Sequence, residues 1–150
     1  MATTIVNAEL SVKISEYINL NGQSMNSENS LLIADINEVD KRIVSVPSSS
    51  EVTLMNFAAA VAAGTYITAN VRYIRITNKD TVNYVRIRVT NTSDDTFDIK
   101  LDAGKSFMMG NTSESASESG AAFSAFVDMS SINAQANTAP VDVEFFIASI

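Results

Sequence analysis

The side chains of this sequence best suited to chemistry are the arginines and tyrosines of Val71–Thr90, VRYIRITNKDTVNYVRIRVT. Five of the ten basic residues (Arg72, Arg75, Lys79, Arg86 and Arg88) fall in this one stretch. Arg beside Tyr offers a planar donor fork, cation–π contact and a large amphipathic area, the composition of anchors at protein interfaces. Tyr73, Arg75, Tyr84, Arg86 and Arg88 are therefore the interface candidates. Two other readings of the same side chains stand beside this one. They could stack single-stranded bases, or lie on a solvated sheet face, paired with Asp and Glu of a neighbouring strand. A formal charge of −7 weighs against nucleic acid, because general affinity for it comes mainly from neutralising phosphates.

Other chemistry is thin. The chain has no histidine and no cysteine, which removes the commonest general base, the commonest metal ligand and any thiolate or disulfide. Serines and threonines abound, but without histidine we find no nucleophile–base pair to propose. Asp94, Asp95 and Asp98 form the only acidic cluster that suggests Ca²⁺, yet their spacing does not match a calcium loop, and Asp98 belongs on a strand. An Asx-rich turn is the better account of them. Glu114 and Glu118 sit in a serine-rich run, where they serve as solvating charge. Met108-Met109 reads as adaptable packing. No phosphate-binding or dinucleotide glycine pattern occurs. The expectation is no catalytic residue, no metal and no cofactor.

The elements that must position the Arg/Tyr set alternate with a period of two. With Lys79 and Asp80 at a turn tip, Val71–Thr90 reads as a β-hairpin in which Tyr73 pairs with Arg86, Arg75 with Tyr84 and Val71 with Arg88. Ile74, Val85, Ile76 and Ile87 then share an aliphatic face, and a one-residue slip would turn arginines into the core. Upstream, Leu10, Val12, Ile14, Ile18 and Leu20 lie on one side of a strand, opposite Glu9, Ser11, Lys13, Ser15 and Asn19. Glu16 interrupts the apolar row, as a bulge or an edge does. Asn21-Gly22 and the polar stretch to Asn29 make a turn or loop. Strands over Leu31–Asn37 and Arg42–Val46, with a turn through Glu38–Lys41, compete with a helix over 31–44. Their Asn/Asp punctuation and Ile/Val content favour strands.

Further on, Glu51–Phe57 alternates, and Ala58–Gly64 predicts a short helical turn near 58–63, an interior turn or an oligomer contact. Phe97, Ile99 and Leu101 alternate after a turn at Asn91–Asp95. Residues 110–120, GNTSESASESG, predict a mobile surface loop. Strands follow near Phe123–Val127 and Ser131–Ala136, and Val141, Val143, Phe145 and Ile147 alternate to the end, which predicts a C-terminal strand tucked into a sheet. Eight to ten short strands with regular turns predict an all-β fold, an antiparallel β-sandwich of jelly-roll type. At 150 residues it reads as a single domain over 1–150, large enough to bury a core without staples. The first ten residues, MATTIVNAEL, lack the basic and apolar regions of a secretory signal, and no apolar run approaches the roughly 18 residues of a membrane span. Synthesis in a cytoplasm, with no membrane partner, is the expectation.

The run Gly64–Gly104, with GTYITANVRYIRITNKD, VRIRVTN and FDIKLDAGKSFMM, resembles small β-sandwich virion proteins of tailed bacteriophages, both capsid-associated and tail-associated. The closing SSINAQANTAPVDVEFFIAS is similar to that group as well. The resemblance covers somewhat over half the chain and is a style of β sequence, with no catalytic motif in it. It implies a jelly-roll-like module that acts by assembly: a homo-oligomer, a trimer being one form, held to other virion proteins such as a major capsid protein. Capsid decoration or a head-fibre base is the first expectation, a tail or neck position the second. A carbohydrate-binding module using Tyr66, Tyr73 and Tyr84 as sugar platforms is the alternative from another class.

Overall fold

The computed structural model describes residues 6–110, 115–117 and 127–150. In chain order the strands are β1 (Ala8–Glu16), β2 (Asn19–Leu20), β3 (Gln23–Ser24), β4 (Ser27–Ile36), β5 (Glu38–Val46), β6 (Val52–Ala58) and β7 (Thr65–Ile67). After a 3₁₀ turn at Thr68–Asn70 come β8 (Val71–Asn78), β9 (Val85–Asn91), β10 (Thr96–Leu101), β11 (Ser106–Met109), β12 (Ser115–Ala116), β13 (Val127–Ala136) and β14 (Val141–Ser149). One sheet has the order β11-β8-β14-β5; the other has β10-β9-β13-β6-β7, with β12 beside β13.

The topology follows from one ribbon. β9 pairs antiparallel with β10, β8 with β11, β6 with β13 and β5 with β14. The chain from β5 onward is thus a long two-stranded ribbon whose tip is the turn between Asn91 and Thr96. Rolling that ribbon brings β9 against β13 and β8 against β14. These eight strands are the jelly roll expected from the sequence. Between the sheets lie Val85, Ile87 and Val89 of β9, Ile74 and Ile76 of β8, and Val141, Val143, Phe145 and Ile147 of β14, all buried. Each set is the apolar half of a period-two pattern, so burying one half turns the polar half outward. The C-terminal strand is indeed tucked in, between β5 and β8.

Several expectations are corrected. Val71–Thr90 is no hairpin: β8 and β9 lie in different sheets, and residues 79–84 carry the chain across. The stated pairs Tyr73–Arg86, Arg75–Tyr84 and Val71–Arg88 do not form; Tyr73 faces Ala148 and Arg86 faces Lys100 and Gln135. Asn78 decides this locally. Its buried side chain donates to the carbonyls of Asn83 (2.9 Å) and Leu101 (3.0 Å) and accepts from the Asp80 amide (2.9 Å). Asp80 then accepts from the amides of Val82 and Asn83, which winds the link into a crossover rather than a two-strand turn. Ala58 ends β6 and residues 59–63 are an exposed bend returning the chain to lay β7 parallel to β6; the single helical turn among the described residues is at Thr68–Asn70. No turn separates β4 from β5; only Asn37 stands between them. Within the predicted loop, Ser115–Ala116 pair with Asp128–Val127; residues 111–114 and 118–126, with most of the strand expected near Phe123–Val127, lie outside the described residues.

The N-terminal segment forms a separate layer. β1 and β4 pair in one register, Leu10 with Ile33 through Glu16 with Ser27, and β2–β3 continue it. Asn21 and Gly22, at φ 52° and 81°, turn the tip, since a two-residue hairpin turn of this kind needs positive φ at both positions. After Gly22, Gln23–Ser24 and the residues from Ser27 are therefore strand, with only Met25 and Asn26 between them, not loop. A bulge at the base, with Asp35 at φ 63°, bends the hairpin over the outer face of the four-stranded sheet. There Leu10, Val12 and Ile33 pack on Tyr73, Phe146 and Ala148.

Two substitutions test this architecture by chemical denaturation at neutral pH. Phe145→Ala, in the middle of β14, should cost about 3–5 kcal/mol. Asn78→Asp keeps the size but removes two donors and buries a carboxylate, and should cost about 3 kcal/mol; a loss under a third of that would mean the crossover is not held by Asn78.

Candidate functional site

The five interface candidates occupy two opposite outer faces of the sandwich. Arg86 and Arg88 stand on β9, on the six-stranded sheet; Tyr73 and Arg75 stand on β8, on the four-stranded sheet; Tyr84 lies in the link between them. The alternation that places arginine outward on both strands was readable. That the two strands look in opposite directions was not, because period two is the same whichever strand is the neighbour.

On the six-stranded face, Asp98 of β10 sits directly opposite Arg88 and receives its guanidinium as a fork, with two contacts of 2.8 Å. Arg86 reaches Glu51 at 2.6 Å and Gln135 at 2.9 Å, and Gln135 in turn donates to the Ser48 carbonyl at 3.0 Å. Lys100 pairs with Asp102 at 2.8 Å and lies 4.7 Å from the centre of the Tyr84 ring. Hydrogen bonds from Arg88 hold the Asp98 carboxyl below the ordinary carboxylate value, against a smaller opposing effect of burial. Arg88 is thus paired with an acid of the neighbouring strand, as one sequence reading had it, while Arg86 reaches past β13 to Glu51, just before β6. Asp98 is committed to Arg88 and Asp95 accepts from the Asn91 side chain at 2.9 Å, so these carboxylates do not converge on a cation. An open groove of about 480 Å³ runs beside this network, lined by Tyr84, Arg86, Lys100, Gln135 and Asn137 among others.

The four-stranded face is different. Its rows, read across the sheet, are Tyr73–Ala148–Val39, then Met108–Arg75–Phe146–Lys41, then Ser106–Thr77–Glu144–Ile43. Arg75 is 2.7 Å from Glu144 and donates also to Thr77; Lys41 reaches Glu144 at 3.6 Å. The Arg75 hydrogen bond keeps Glu144 below the ordinary glutamate value. Tyr73 is only 6% exposed, edge-on to Phe146 at 6.0 Å, and burial pushes its hydroxyl pKa up. Tyr66 packs on Phe57 and donates to Asp40 at 2.6 Å. Burial, and then that bond, raise its pKa. Tyr66, Tyr73 and Tyr84 therefore make no common sugar platform.

What sequence reasoning did not identify as a site is the N-terminal hairpin. Its single register puts Leu10, Val12, Ile14, Ile18 and Leu20 on one face with Ile33, Leu31 and Met25. The inner part of that face is covered by the sheet. The outer part is not: Ile18, Leu20 and Met25 are 52%, 56% and 61% exposed. On β5, Val39 and Ile43 are also bare, at 54% and 63%. The apolar row was visible in the sequence, but its partial cover depends on the edge of the sheet, where Ile14 and Leu31 lie beside Met108 and Met109 of β11. No protein-family model matches the chain, and no curated protein matches it.

Two of the ion-paired carboxyls, Asp98 and Glu144, contribute a pH dependence. Both Asp98 and Glu144 are depressed in the folded state, so their stabilisation is complete above the unfolded carboxylate values near pH 4 and is lost as pH falls through their lower folded values. Urea midpoints should drop from about pH 4 downward. The double variant Asp98→Asn, Glu144→Gln should start lower at neutral pH and fall less over that range; parallel curves would show that neither pair matters.

Proposed function

We propose that this chain is a non-enzymatic structural component of a bacteriophage virion, a capsid decoration or head-fibre-base protein. It acts by self-association and by contacts with a lattice protein such as a major capsid protein. A tail or neck position would use the same contacts. It is made in the host cytoplasm and resides in the particle.

The observation that carries this reading is the hairpin whose apolar face continues past the body that covers its inner half. Side chains such as Ile18, Leu20 and Met25 lose free energy when left in water, at roughly 25 cal/mol per Å² of apolar area. An apolar ridge on a projecting element is the mark of a surface completed by another chain. On the two sheet faces, Arg75, Arg86 and Arg88 are tied to Glu144, Glu51 and Asp98 in ion pairs. The sequence resemblance to phage virion β-sandwiches points the same way.

A second reading, a carbohydrate-binding module, is favoured by one observation. The groove beside Tyr84 combines an aromatic ring with Arg86, Lys100, Gln135 and Asn137, which suit hydroxyl groups.

Quantitative mass spectrometry of purified particles of the phage that encodes the chain should find it in many copies per particle; abundance in the lysate with absence from particles would reject the virion reading. Glycan-array binding that Tyr84→Ala abolishes would instead select the carbohydrate reading.

A further inference from the structure

The outer half of the hairpin ridge and the bare part of β5 are two unfilled halves of the same contact. Within one chain, the inner ridge (Leu10, Val12, Ile33) covers the β8 and β14 side of the four-stranded sheet. The β5 side of that same face, Val39 and Ile43, remains bare. The chain's own outer ridge leads away from it: Ile14 and Leu31 lie beside Met108 and Met109 of β11, the edge of the sheet opposite β5. The lengths agree. At about 3.3 Å per residue, Ile14 to Leu20 spans about 20 Å and Val39 to Ile43 about 13 Å, so the ridge is long enough to cover the patch.

Charge agrees as well. Glu16 is the one ionisable residue on the outer ridge, and Lys41 lies between Val39 and Ile43 on the sheet. Lys41 is more than half exposed and meets Glu144 only at 3.6 Å. Laying two ridges against each other would instead bring Glu16 near its own copy, in a chain of net charge −7.

We propose that the hairpin tip of one copy, through Ile18, Leu20 and Met25, packs on the outer face of β5 of a second copy, over Val39 and Ile43, with Glu16 beside Lys41. This names the surface for the self-association proposed above and rests on it. The contact is head-to-tail: ridge and patch are different surfaces, so each copy gives one and receives one. Such contacts close into rings, a trimer among them, where the rotation permits. The five bare side chains of ridge and patch form the apolar centre of such a contact and only part of the roughly 800 Å² that each partner gives in a standard interface.

The absence of cysteine makes a clean test. Leu20→Cys and Ile43→Cys, each on a separate preparation of the full chain, are mixed in equal amounts and mildly oxidised. Mixed disulfide dimers in clear excess over both same-variant dimers are expected. Same-variant dimers of Leu20→Cys in excess would mean that ridge meets ridge, and would overturn the proposal. The native mass of the unmodified chain separates the two levels of the claim. A stable oligomer with no mixed dimer removes this contact and leaves self-association standing; a monomer at every concentration removes both. As an independent arm, Leu20→Asp with Met25→Asp should bring the native mass down to that of a monomer with an unchanged β-type circular-dichroism spectrum, since neither side chain belongs to the chain's own core. An unchanged oligomer there would also overturn the proposal.

Discussion

The insertion of β14 between β5 and β8 is the constraint on which the rest depends. Its nine residues pair with β5, from Val141 opposite Val46 to Ser149 opposite Glu38, and the seven from Val143 onward also pair with β8, starting with Val143 opposite Asn78. Until that strand is in place, β5 and β8 have no common neighbour and the ribbon cannot roll. Its inward side chains, Val141, Val143, Phe145 and Ile147, are buried against the opposite sheet. Its outward ones matter equally, because Phe146 and Ala148 are the floor on which the N-terminal hairpin rests. One strand thus closes the core on one side and seats the third layer on the other.

Two buried asparagines show how the chain is steered between the sheets. Asn78 and Asn91 end β8 and β9, and each satisfies its amide inside the protein: Asn78 on Asn83, Leu101 and Asp80, Asn91 on Asp95, Ser93 and the Ala116 carbonyl. A buried amide left unpaired would cost about 1–3 kcal/mol, so each asparagine fixes one local path for the chain. After Asn91 that path is a tight turn back into the same sheet. After Asn78 it is a crossing to the other sheet. Both segments carry the Asn/Asp/Thr composition of a turn, and composition alone does not say which kind. This is why Val71–Thr90 read as a hairpin while the hairpin actually lies one strand later, in β9–β10.

What the sequence made legible was therefore everything that depends on period two: the all-β class, the inward sets of β8, β9, β10 and β14, the apolar row of β1 and the arginines turned outward. What it hid depends on non-local pairing. Asp98 and Glu144 are ordinary acidic positions until register sets one opposite Arg88 and the other beside Arg75. Likewise Ile18 and Leu20 are indistinguishable in sequence from Leu10 and Val12. They differ because the sheet beneath them ends. Asn21-Gly22 is the exception, a strong two-residue turn signal; the polar residues beyond it become strand because the turn fixes their partners.

The disposition of charge narrows how such a molecule can hold a partner. Arg75, Arg86 and Arg88, which cluster in sequence, are each neutralised by carboxylates within their own fold, and Lys13, Lys41, Arg42 and Lys100 also have acidic partners. Their sequence cluster consequently yields no strong positive field, and half-exposed ion pairs of this kind contribute at most about 1 kcal/mol each. The chain as a whole is acidic, so copies repel at distance. Attraction between them has to come from short-range apolar contact, and the described surface concentrates bare aliphatic side chains on the hairpin and on β5. Long-range repulsion with a local apolar latch favours assembly only in the one orientation that buries the latch. The self-association we propose needs that selectivity: strong enough to build, too specific to aggregate.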